Sequence, residues 1–259
     1  MRLIDCHMHV HGGMRPWGWS DDADVIEAAD RLGIEKLAVS IPVTGGRWAE
    51  PAEVRDCNDA VYGALQRFPD RLLGYCFVNP GFTHAALDEI ERCVVDRSFI
   101  GVKLYNQYRI SDPTVFPVIE RCIELGVPIL SHAGRLVDPV DQARQPLCSD
   151  AGHFVEVNRR YPEATLIEGH IAGGGDWEWS LGMLREGGEN LFLDTSGSVP
   201  DAGMLERCVE SIGPDRLLFA TDMTMEGSVA RLLDAEISDT AREQIAWRNF
   251  EAILGRRRI

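Results

Sequence analysis

At 259 residues, 45% hydrophobic and 26% charged, the chain can bury a sizeable core, and its length suits a single α/β domain over 1–259 better than two small ones. A formal net charge of −15, with no basic run longer than Arg256-Arg257-Arg258, argues against nucleic acid or an anionic membrane as a partner. No apolar stretch is long enough to span a bilayer, and seven cysteines without a C-x-x-C pair read as reduced core thiols of a cytoplasmic protein.

In chain order, short apolar runs ending near Cys6, Ile41, Val78, Leu104, Ser131, Gly169, Thr195 and Thr221 predict eight strands. Helical segments separate them. Residues 20–33 open on Ser20 as a cap, carry acids in the first turn and stop at Gly33. Residues 84–94, 115–126 and 241–255 repeat their apolar positions with helical spacing. Eight such strand–helix alternations in about 250 residues predict a (β/α)8 TIM barrel. An open doubly wound sheet is the alternative fold, but it usually places a glycine-rich phosphate loop after its first strand. Here that position carries histidines.

On strand 1, period-two alternation puts Asp5, His7 and His9 on one face and Ile4, Cys6 and Met8 on the other. Polar groups recur at later strand ends: Lys103 on strand 4, His132 on strand 5, His170 on strand 6, Asp194 on strand 7 and Asp222 on strand 8. A barrel enzyme works at the C-terminal ends of its strands. A lone histidine there is usually a hydrogen-bonded rim residue, and a lone aspartate a helix cap. Such groups together at the ends of strands 1, 5, 6 and 8 point instead to a metal site, because inward-facing charge is costly unless paired or bound to metal. The same parity turns Lys103 into the barrel and places Glu168 with His170.

The motifs "DCHMH" (5–9), "SHAG" (131–134), "GHIAGG" (169–174), "FATD" (219–222) and "NFEAILG" (249–255) resemble the amidohydrolase superfamily. Within it they are most similar to the amidohydrolase-related group that includes aminocarboxymuconate semialdehyde decarboxylase. The resemblance runs from end to end. It implies that His7, His9, His132 and Asp222 bind one divalent metal, zinc ahead of manganese, and that His170 contacts the metal-bound water or the substrate. Neutral imidazoles with a carboxylate suit zinc, and an open coordination position suits catalysis. The chain departs from the group in its modest loops. Residues 12–22, with Arg15, Trp17 and Trp19, and residues 44–48, with Arg47 and Trp48, are the candidate lid and wall.

Lys103 is one of only two lysines, with Lys36. Three readings stay open for it. The resemblance offers a carbamylated lysine bridging two metals; the residue itself offers an ammonium that holds a substrate carboxylate, aided by Tyr105 or Arg109, or an internal ion pair with Glu168 or Asp194. The leading function is metal-dependent hydrolysis of a small carboxylated substrate such as a lactone, ester or amide, with Asp222 as general acid/base and His170 assisting. The alternative is metal-dependent non-oxidative decarboxylation of an aromatic or unsaturated carboxylic acid, with the same residues. A barrel that binds without turnover ranks third, and a nuclease is disfavoured by Lys103 on strand 4 and by the acidic charge. A homodimer is the assembly considered.

Overall fold

In the computed structural model, residues 1–12, 21–171, 175–199 and 201–258 are described. Eight parallel strands pair in sequential order: β1 (Leu3–His9), β2 (Ile34–Ser40), β3 (Leu72–Phe77), β4 (Gly101–Leu104), β5 (Ile129–His132), β6 (Leu166–Gly169), β7 (Leu191–Asp194) and β8 (Leu217–Leu218). The ring closes between β8 and β1. Cys6 N donates to Phe219 O at 3.0 Å, and Asp222 N donates to His7 O at 2.7 Å. All eight expected strands are present, and the fold is the barrel rather than the open sheet.

Two apolar layers explain the strand composition. Ile4, Cys6, Ala38, Tyr75, Leu130, Ile167, Phe192 and Leu218, one or two from nearly every strand, form one buried cluster that fills the lumen. Alternate residues such as Leu37, Val102, Ile129, Leu166 and Leu193 belong to the larger cluster beneath the helices. Phe250 and Ile253 of the C-terminal helix join the lumen cluster.

The helices begin and end where local chemistry dictates. α1 (Asp22–Leu32) is capped by Asp21, whose side chain accepts from Ala23 N, and Gly33 ends it in the left-handed region at φ 73°. The expected cap, Ser20, lies outside the described residues. α2 (Pro51–Arg67) starts with proline at its first position. α3 (Thr83–Ile90) runs into a π turn at Glu91–Val95, and α4 (Phe116–Leu125) stops at Gly126. The segment expected as one helix over 241–255 is broken by a π turn at Gln244–Arg248. No described helix is long and apolar enough to cross a membrane. The seven cysteines are free thiols, six of them buried.

β1 departs from simple alternation. Asp5 pairs with Leu37 and Met8 with Val39, so β1 spends one more residue than β2 over that stretch. This is a bulge at Cys6–His7. Cys6 packs in the lumen, and His7 beside it also reaches lumen groups, Lys103 and Asp194. The expectation that Asp5, His7 and His9 share one face is thereby corrected: Asp5 turns to the β8 seam, where Thr221 N and Thr221 Oγ1 donate to it.

Between α2, α3 and β3, Asn58 exchanges hydrogen bonds with both backbone groups of Phe77 and donates to Glu89 Oε1 at 2.9 Å. Arg92 Nε donates to Glu89 Oε2 at 2.8 Å. Burial pushes the Glu89 carboxyl up, but Arg92 and Asn58 outweigh it and hold the group below its ordinary value of 4.5. A group depressed in the folded state adds stability above its unfolded pKa and loses it as pH falls. Glu89→Gln is therefore expected to flatten the loss of melting temperature on acidification below pH 4.5, measured against wild type between about pH 3 and 6.

Candidate active site

The strand ends bring His7, His9, His132, His170 and Asp222 to one end of the barrel. Two of these residues, His170 at φ 71° and Asp222 at φ 49°, have left-handed backbones that non-glycine residues rarely adopt. Both occur where a strand gives way to a loop, and strain of this kind clusters at functional sites. Gly169 precedes His170 for a steric reason: a Cβ there would lie 3.0 Å from Ser131 O and 3.5 Å from the His7 ring.

Two donor groups lie close enough to hold a cation. Ligand atoms of His7, His9 and Asp222 lie within 4.8 Å of one another, as do those of His7, His170 and Asp194. Each strand-1 histidine is anchored through one nitrogen. His7 Nδ1 donates to Asp194 Oδ2 at 2.7 Å, and His9 Nδ1 donates to Ser40 O at 2.9 Å. This is how proteins fix the tautomer of a metal-binding histidine, leaving Nε2 with a lone pair. His9 Nε2 faces Asp222 Oδ1 at 3.1 Å. For a neutral imidazole that contact sets acceptor against acceptor, and a divalent cation would satisfy both. The donor set thus fits a metal.

The electrostatics agree. Burial, with the Lys103 charge second, pushes His7 down to about 4, and burial, then His7, pushes His170 down to about 4. Burial and His170 drive His132 well below its ordinary value. These rings are neutral at pH 7, the form that ligates metal. Burial pushes Asp194 up, but the His7 contact outweighs it and the carboxyl stays well below the usual range. Burial pushes Asp222 up as well, but the histidines around it, His9, His7 and His170, outweigh it and hold the carboxyl low.

His132 does not converge with the first group. Its Nδ1 lies 3.0 Å from His170 Nε2, its Nε2 lies 3.0 Å from Gln145 Oε1, and Tyr105 stacks on its ring at 4.3 Å. Lys103 is fully buried, with Nζ 2.8 Å from His7 Nε2. Burial pushes its ammonium down to about 8. The lone pair that His7 would offer a metal is therefore shared with Lys103. The parity that placed Glu168 with His170 is corrected, and with it goes the Glu168 alternative offered for Lys103: Ile167 and Gly169 face the lumen, so Glu168 between them faces outward, among charges that include Asp150.

A cavity of about 490 Å³ opens over this floor. His9, His132, His170 and Asp222 line its base, Tyr105 and Gln145 one wall, and Ile41, Pro42, Val43 and Met223 an apolar wall. Arg47 is in its lining and Lys103 is not. Arg109 turns away and donates to Pro146 O at 3.1 Å. Trp48 packs against Tyr108 and Phe82 instead of lining the cavity. Arg15, Trp17 and Trp19 lie outside the described residues. Four participants were not given a place in the site by sequence reasoning: Asp5, Ser40, Ser196 and Gln145. Ser196 Oγ lies 3.0 Å from His170 Nδ1 and 2.6 Å from Asp194 Oδ1. Asp194, noted in the sequence as a strand-end acid and as one partner offered to Lys103, anchors His7 and His170 N. Its position at the end of β7 was the available signal; Gln145, in a loop without a motif, offered none.

Known proteins resemble the chain along its length. It is 26% identical over 191 residues to the 2-amino-3-carboxymuconate-6-semialdehyde decarboxylase of Dictyostelium discoideum, a match covering 65% of this chain and only 52% of that protein, about half its length. It is 23% identical over 269 residues to the 2-keto-4-carboxy-3-hexenedioate hydratase of Sphingobium sp., covering 88% of this chain and 75% of the relative. Its fold matches that of a dihydroxybenzoic acid decarboxylase from Polaromonas sp. JS666, solved with manganese and the inhibitor 2-nitroresorcinol, at a TM-score of 0.71 and 19% identity, over 98% of this chain and 96% of the other. The amidohydrolase family pattern covers residues 4–256. With strand-end histidines and aspartates on a closed barrel, and that pattern spanning nearly every residue, the chain belongs to the amidohydrolase family.

Proposed function

We propose that the protein is a metal-dependent, non-oxidative decarboxylase of a small aromatic or unsaturated carboxylic acid. The observation that carries the reading is the pairing of a convergent donor set, His7, His9 and Asp222, with a cavity whose remaining wall is largely apolar. Such a pocket suits a flat ring with its carboxylate directed at the floor. Hydrolysis, ranked first on the sequence, has the weaker support, because the named relatives are decarboxylases and a hydratase.

His7, His9 and Asp222 would hold the metal, joined by His132 once its ring leaves Gln145. A divalent cation there, manganese or zinc, supplies Lewis acidity toward the substrate's oxygens. Tyr105 packs against one face of the bound ring, while Ile41 and Val43 exclude water. Asp222 is ionised at neutral pH, so it begins as a base. It takes a proton from water or an acidic substrate hydroxyl, then gives it to the ring carbon. As that carbon's bond to the carboxylate breaks, carbon dioxide leaves and the bonding electron pair accepts the proton.

The test is carbon dioxide release from hydroxylated benzoic acids by protein with known metal content. Chelator treatment is expected to abolish release, and one equivalent of manganese or zinc to restore it. Release that survives complete metal removal would sink the proposal. Hydration of an unsaturated acid is the second reading, favoured by the Sphingobium relative, and a product heavier by one water would select it.

A further inference from the structure

Among Lys103 and Arg109, the cations the sequence offered to a substrate carboxylate, and Arg47, offered as a wall residue, only Arg47 lines the cavity. Lys103 lies buried on His7, and Arg109 is committed to Pro146 O. Arg47 does not meet the cavity as a free charge. Its guanidinium lies 2.5 Å from Glu53 Oε1, with Arg47 67% and Glu53 32% exposed, and Glu53 lines the same cavity. The floor is already acidic through Asp222.

The two partners are held differently. Glu53 stands in the first turn of α2, where the helix N-terminus favours a carboxylate. Arg47 rides on a loop behind Gly45 and Gly46, both at positive φ. The carboxylate is thus held by its helix, and the longer, more exposed arginine side chain is the freer member. An exposed pair of this kind is weak and can be opened. A second substrate carboxylate at the rim would then gain Arg47 and still face Glu53, a like charge in the same wall.

Resting on the decarboxylase reading of this pocket, we infer that Glu53 is a specificity-determining residue: it neutralises Arg47 and restricts the site to acids with a single carboxylate, which goes to the floor. Among the described residues no other lysine or arginine lines the cavity.

The experiment is titration calorimetry on the manganese-loaded full chain with three probes: 2-hydroxybenzoate, and the same acid carrying a second carboxylate at ring position 4 or 5. Wild type is expected to bind both dicarboxylates at least tenfold more weakly than 2-hydroxybenzoate. Glu53→Gln is expected to narrow that ratio tenfold, about 1.4 kcal/mol, for at least one of them. Adding Arg47→Gln should reverse the gain, because Arg47 is what the second carboxylate would use. The inference is overturned if wild type binds a dicarboxylate as tightly as the monoacid, or if Glu53→Gln leaves both ratios within twofold. If none of the three acids binds any variant, the reading of the pocket as an acid site fails and this inference fails with it. If the ratios shift as expected and no carbon dioxide is released on turnover, decarboxylation alone is refuted and the charge rule stands.

Discussion

Asp222→Asn is expected to lower turnover by about a thousandfold, within the range for loss of a positioned acid–base group, while leaving most of the bound metal. Asparagine preserves shape and the backbone contact in which residue 222 N donates to His7 O at 2.7 Å. It also keeps one oxygen near His9 Nε2, where Asp222 Oδ1 lies at 3.1 Å. What it removes is the carboxylate's ability to pick up a proton and pass it on. His170 does not substitute, because its Nδ1 lies 3.5 Å from Asp222 Oδ2 and burial and its neighbours keep the ring neutral. Metal content by elemental analysis and single-turnover carbon dioxide release separate the two roles. Full turnover in the variant would remove Asp222 from proton transfer, and complete loss of metal would recast it chiefly as a ligand.

Much of this site was legible because a parallel barrel reduces placement to parity. A strand with one inward residue in two, and chemistry only at its C-terminal end, tells where Lys103, Asp194 and Asp222 must point, and they do point into the lumen. Parity failed where the backbone stopped being a regular strand. The bulge at Cys6–His7 turned two consecutive residues inward, and nothing in "LIDCHMH" marks an extra residue. At β6 the left-handed His170 faces the site although Glu168, two residues earlier, faces away. Loop residues were the least legible. Arg109 and Gln145 are both polar and both lie outside the regular elements, yet one turns to a backbone carbonyl and the other to His132. Tertiary contacts alone decide between them.

Lys103 links the metal count to the ligand set. Its Nζ donates to the lone pair that His7 would give a metal, so metal binding through His7 Nε2 requires the amine to yield. It would yield by shifting along the lumen as an amine or, as the resemblance implies, by carbamylation, which would make it a ligand for two metals in place of a competitor. One metal per chain in active protein selects the first course and two select the second, so elemental analysis reads the state of Lys103 directly.

Asp5→Ala is expected to lower the free energy of unfolding by about 3–5 kcal/mol, since up to three buried donors lose their acceptor at roughly 1–3 kcal/mol each. Asp5 is fully buried at the seam where the barrel closes. Its Oδ1 accepts from His7 N at 2.9 Å and Thr221 N at 3.1 Å, and its Oδ2 lies 2.5 Å from Thr221 Oγ1. One side chain therefore ties the bulge carrying His7 to the strand end carrying Asp222. Burial pushes its carboxyl up to about 8 against the pull of Thr221, so an uncharged amide is the closer mimic at neutral pH. Asp5→Asn can accept both backbone bonds through its oxygen and donate to Thr221 Oγ1 through its nitrogen. It should keep most of the stability that Asp5→Ala loses, as read by urea unfolding at pH 7. Alanine unfolding at the wild-type midpoint would show that the Met8–Asp222 bridge and the Cys6–Phe219 bond close the barrel without the clip.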